Sequence, residues 1–214
     1  MSDCTIGMAT WAVYNYTPNH FPRLARLRPS GSGTAAAMGL RGGSVDAPGT
    51  LRRTGLLYYR VDGNLKVATG VTLTVEPGVE IRFEQRGTLE VEGAIVARGT
   101  DALPITLRGV VGRPAFWFGL YVTSTGSGTL EHVVVRHAGS GGRRVHDAVP
   151  SAAMILDGLG TSVTHCSFAD NEYASVAVFG GSPTIHWNDL SRSERFGVRN
   201  YSDQDVDARY NWWG

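Results

Sequence analysis

From Tyr58 to Gly214, apolar and polar residues alternate in short runs, each closed by Gly, Pro or Asn. "NLKV", "VTLTVEPG", "VEIRF", "GTLEVEG", "AIVARG", "PITLRG" and "GLYV" are successive examples. Runs of this kind, rich in Val, Ile, Leu and Thr with a period of two, predict short strands with one buried face. No stretch holds a helical period of useful length, so the pattern predicts an all-β protein.

The runs also repeat. "VTHCSFADNEYASVAV" (163–178) lies over "IHWNDLSRSERFGVRN" (185–200) at an offset of 22, which sets Val163 on Ile185, Phe168 on Leu190, His165 on Trp187, Cys166 on Asn188 and Val176 on Val198. "LEHVVVRHAG" joins at an offset of 33, and "SGGRRVHDAVP" (140–150) accounts for its 11 additional residues. "VTLTVEPGVEI" (71–81) resembles "GTLEVEGAIVA" (87–97) at an offset of 16, and Val206 follows Ile185 by 21. A period near 22 with two or three strands per repeat suits a solenoid, in which each coil adds one strand to each of several parallel sheets. About seven coils would then form a rod of roughly 30–35 Å. A β-sandwich fits the in-register repeats less well.

Residues 1–57 differ. "RLARLRPSGSGTAAAMGLRGGSVDAPGT" shows no sustained period and predicts an irregular, Gly/Arg/Ser-rich segment with six Arg against two Asp. The natural boundary therefore falls at Tyr58, after which acids outnumber bases by 17 to 14. A formal charge of +1 argues against nucleic acid as the main partner. Nineteen of the 20 basic residues are Arg, which reads as a compositional habit. Cys4 and Cys166 make neither a disulfide framework nor a zinc set. No run reaches the roughly 18 apolar residues of a membrane helix, and no secretory signal stands at the N-terminus.

"GNLKVATGVTLTVEPGVEIRFEQRGTLEVEGAIVARGTDALPITLRG", "WFGLYV", "GTLEHVVVRHAG" and the closing "VDARYNWWG" resemble modules of the pectin-lyase-like superfamily of right-handed parallel β-helix repeat proteins, over about residues 58–214. The resemblance implies a right-handed parallel β-helix. It also implies a place in a secreted or cell-surface protein, as a stalk, an adhesive or glycan-binding unit, or in some members a polysaccharide lyase or hydrolase. In such modules "NWWG" runs on into further sequence, so Gly214 is expected to end one module of a longer chain. The expected partners are a polysaccharide or a surface protein, with no membrane span.

Candidate chemistry is sparse. Glycoside hydrolysis needs two carboxyl groups roughly 5–10 Å apart, and Glu172 and Glu194 align one coil apart as the only such pair found. Asp203, Asp205 and Asp207, two apart in "DQDVD", could offer a hard cation such as calcium three carboxylates on one side of an extended strand. His137, Arg143, Arg144 and His146 surround the 140–150 insertion, where a basic loop could meet an acidic sugar. Trp117 and Tyr121, with Tyr173, Trp187, Phe196 and Tyr201, are candidate sugar-stacking rings. His132, His165 and Trp187 occupy equivalent positions and are expected to stack at a bend, and Trp212 with Trp213 to cap the last coil. His165 and Cys166, as strand neighbours, face opposite ways and make a poor catalytic dyad. Two readings stand: a non-catalytic module that displays or binds, and a glycan-active enzyme.

Overall fold

The computed structural model describes residues 37–53 and 58–214, together with the strands Cys4–Ile6, Val13–Asn15 and Leu27–Pro29. Among the described residues every regular element is a strand, with no helix. All strand pairs are parallel. The sheets are curled, and three ladders organise them. Ladder I runs through Gly49–Leu51, Thr72–Val75, Ala94–Arg98, Ser127–Glu131, Ser162–Thr164 and Thr184–His186. Ladder II runs through Glu80–Phe83, Ile105–Gly109, Val133–Arg136 and Ser167–Ala169, and ladder III through Thr88–Val91, Gly119–Val122, Ala152–Leu156, Ala174–Val178 and Phe196–Asn200. The long strand Tyr58–Val67 belongs to both II and III, pairing Tyr59 with Ile81 and Leu65 with Leu89. From Tyr58 onward each circuit of the chain visits II, III and I in turn.

Register follows from the alternation. Val75, Ala97, Leu130, Val163 and Ile185 form one column on ladder I, all at 2% exposure or less. Leu89, Leu120, Met154 and Val176 form another on ladder III, fully buried. Each Val, Leu, Ile or Met side chain of these columns contributes roughly 1.5–3 kcal/mol of burial. A one-residue slip would turn a whole strand's apolar set toward water, so these columns fix the pairing.

The offsets of 22 and 33 appear as real pairings, Val163 with Ile185 and Leu130 with Val163. The circuit from Ala94 to Ser127 is also 33 residues long. Its added length is shared among 99–104, 110–118 and 123–126, so no single insertion marks it in the sequence. The offset of 16 is not a register: Leu73 pairs with Ile95 on ladder I, whereas Leu89 pairs with Leu65 and Leu120 on ladder III. Val206 is not the partner of Ile185 either, because Thr184 bridges Asp207 and the Ile185 amide donates to the Asp207 carbonyl. Pairing also begins upstream of Tyr58, where Ala37–Val45 lies along Tyr58–Val67 and Gly49–Leu51 along Thr72–Val75.

The corner after ladder I carries a polar column. Asn188 accepts the Cys166 amide at 2.9 Å and donates to the Val163 carbonyl at 2.9 Å; Asn211 accepts the Asn188 amide at 2.8 Å and donates to the Ile185 carbonyl at 2.7 Å. Cys166 fills the same place one circuit earlier, its thiol directed at the matching Leu130 carbonyl. Burial pushes that thiol up to about 12, which removes it as a nucleophile.

The corner between ladders III and I is packed backbone on backbone. A Cβ on Gly93, Gly126 or Gly158 would lie 2.2, 2.1 or 2.0 Å from the carbonyl oxygen of Ala68, Val91 or Gly126. Gly158→Ala should therefore cost about 1–3 kcal/mol by overpacking, measured by denaturant unfolding.

Candidate functional site

Outward positions on ladder II bring the basic residues together. Arg60, Arg82, Arg108 and Arg136 pair in direct register, so the four stand in one column on successive strands. Strands repeat every 4.7–4.9 Å, which makes the column about 14 Å long. Like charges at that spacing repel, and three carboxylates interleave with them. Arg60 pairs with Glu84, and Glu80 takes Arg82 at 2.6 Å and Arg108 at 3.8 Å. Asp170 accepts Arg136 and also meets Arg192 at 3.5 Å. Five guanidinium groups thus face three carboxylates along one partly exposed strip. Arg136 holds the Asp170 carboxyl below its ordinary range, chiefly through their hydrogen bond. Arg82 also lies 3.6 Å over the Tyr58 ring, whereas among the described residues Arg108 has only the long Glu80 contact and a 3.2 Å bond to the Gly109 carbonyl.

His137, one of the loop candidates, closes this strip. It is buried, and its Nδ1 has no hydrogen-bond partner among the described residues. Desolvation lowers its pKa, and Arg108 and Arg136 lower it further. The fold therefore favours the neutral ring, while in the unfolded chain it titrates near 6.5. Its contribution is fully present above that value and is lost as pH falls through the lower folded pKa, since the unfolded state then binds the extra proton. Stability should decline as pH drops below about 6.5, and His137→Gln should flatten that decline in thermal melts taken across the range.

The 140–150 loop lies elsewhere, over the outer face of ladder III. Val145 packs there with Phe118, Ala152, Ile155 and Ala177, which is why Ala152–Leu156 and Ala174–Val178 are buried on both faces. Arg143 pairs with Glu90 and lies 5.1 Å over the Tyr121 ring, leaving Tyr121 half-buried rather than presented outward. His146 Nε2 is 3.0 Å from the buried Asp157 carboxylate, and its ring stacks on Phe179, which stacks on Tyr201 at 4.5 Å. Arg144 is exposed without a partner among the described residues. A cleft of about 340 Å³ opens beside Arg86, Ser140 and Arg143, and another of about 370 Å³ beside His146, Phe179 and Tyr201.

Other candidates are placed differently from expectation. Trp117 is fully buried, stacked on Phe83 at 4.4 Å and donating its indole N–H to the Arg136 carbonyl at 2.7 Å, so it offers no face to a sugar. Asp203, Asp205 and Asp207 do not share an extended strand, because 202–204 is a bend. Asp207 is instead held by Arg209 and by His186 at 2.8 Å, which lower its pKa. Glu172 and Glu194 are aligned and exposed, with Glu194 accepting the Tyr173 amide at 2.6 Å as a turn brace. The ring stack does form: His132 and His165 at 4.9 Å, His165 and Trp187 at 5.6 Å, and a fourth member, Tyr210, at 5.7 Å from Trp187. All four have positive φ, between 48° and 61°. Within this column His165 and Trp187 each stack on two rings, and His132 and Tyr210, at its ends, on one. At the chain end Trp213 lies across Gly197, while Trp212 is 67% exposed.

The fold and its surface define an all-β protein of curled parallel sheets with a basic outer column. No protein-family model, curated protein or solved structure matches the chain.

Proposed function

We propose that the chain is a parallel β-helix module of the pectin-lyase-like kind, acting without catalysis on a secreted or surface protein and binding an acidic polysaccharide along ladder II. The observation that carries the binding reading is the Arg60–Arg82–Arg108–Arg136 column. Arginine forks suit carboxylates, and their spacing along a strip suits a linear polyanion rather than a small ligand. The enzyme reading has less support: Glu80, Glu84 and Asp170, the carboxylates of that strip, each hold an arginine. The solenoid reading is supported by the repeated visit to three ladders in register.

A panel of acidic and neutral polysaccharides, assayed with and without calcium for both retention and chain cleavage, tests the proposal. Salt-sensitive retention of polyuronates without cleavage is expected. Cleavage would favour the enzyme, and a blank panel would remove the glycan reading.

A further inference from the structure

Outside the arginine strip, one corner gathers donors of a different kind. Glu131 ends its ladder I strand, His132 forms the turn that follows, and His165 forms the matching turn one circuit later. Both turns share the same left-handed backbone, φ 48° and 53°, so their side chains project side by side. One donor atom from each of Glu131, His132 and His165 lies within 4.8 Å of the others. Asp101, on the loop of the preceding circuit, sits 3.1 Å from His132 Nδ1.

Two of these groups have no polar partner in the fold. Neither the Glu131 carboxylate nor the His165 ring makes a side-chain hydrogen bond or ion pair among the described residues. His165 is exposed and held only by ring stacking. The Asp101 carboxylate stands beside the His132 ring, the place carboxylates take behind metal-bound histidines.

We infer that Glu131, His132 and His165 form a site for a divalent transition-metal ion of the zinc class, with Asp101 orienting His132. Two imidazoles and one carboxylate select such an ion over calcium or magnesium, which take all-oxygen sets. A tetrahedral ion with bonds of about 2.0–2.1 Å needs donors about 3.3 Å apart, so the side chains must close inward. His165 must also turn about χ2, because rings stacked 21° from parallel cannot both aim an in-plane lone pair at one ion. That turn exchanges its stacks on His132 and Trp187 for the metal bond. Three protein donors leave a fourth position for water.

Calorimetric titration of the chelator-treated full chain with Zn²⁺ alone tests the site. One ion per chain is expected, unaffected by excess Ca²⁺, with affinity reduced at least tenfold in both His165→Ala and Glu131→Gln. Metal-free melts of Glu131→Gln should match the parent, since its carboxylate has no polar partner among the described residues. His165→Ala also gives up two ring stacks, so its Zn²⁺ affinity is read beside its own metal-free melt. Absence of binding, or binding that either variant leaves unchanged, would overturn the assignment.

Discussion

Arg82→Gln with Arg108→Gln is expected to reduce polyuronate binding by at least a hundredfold while leaving the fold intact. A hydrogen bond to a charged group contributes about 1.5–3 kcal/mol, and each 1.4 kcal/mol is about tenfold in affinity. Losing two adjacent guanidiniums therefore removes two to four orders of magnitude, and it also splits the remaining column into distant halves. Stability should change little, because partly exposed ion pairs contribute about 0–1 kcal/mol. Glu80 loses both its partners, which adds repulsion toward an acidic ligand. Isothermal titration with an oligogalacturonate beside thermal melts separates the effects. Equal affinity in parent and variant would dissociate the column from binding.

The second large effect concerns stability. Trp117→Ala should destabilise the fold by about 3–5 kcal/mol, the range for deleting a large buried aromatic. Three losses coincide: a fully buried ring, the 4.4 Å stack on Phe83, and the indole bond to the Arg136 carbonyl. That carbonyl belongs to an arginine of the basic column, so the core ring also supports the strip above it. Denaturant unfolding should show the full loss. Trp117→Phe should recover the stack but not the hydrogen bond, and so fall between the two.

How legible these features are in the sequence depends on how evenly they are spaced. Val163 and Ile185 share one period and have clean apolar character, so their pairing is readable directly. The arginines of the column are separated by 22, 26 and 28 residues, because loops of different length intervene. No fixed period reveals them, and in a chain with 19 arginines they pass for composition. The available signal was local: each follows an inward residue, as in "YYRV", "EIRF", "TLRG" and "VVRH". Trp117 misled for another reason. Alternation puts one of three consecutive aromatics opposite its neighbours, but 110–118 is not a strand, and Phe116, Trp117 and Phe118 are all buried. The 140–150 loop was visible as an insertion, yet only the fold reveals that it covers Ile155 and Ala177. The ring stack was legible from His132, His165 and Trp187 because a repeated corner repeats its backbone conformation.

Both the arginine column and the ring stack require that the chain gain one strand spacing per circuit. Spin labels at Thr50→Cys and Thr184→Cys, with Cys4 replaced and Cys166 shielded by burial, measure that directly. Thr50, Thr74, Val96, Thr129, Ser162 and Thr184 succeed one another on ladder I, so the pair spans five spacings, about 24 Å. Moving the first label to Thr74 should shorten the distance by one spacing, about 5 Å. Equal distances for the two pairs, or a longer one from Thr74, would contradict the stacked circuits and with them the column.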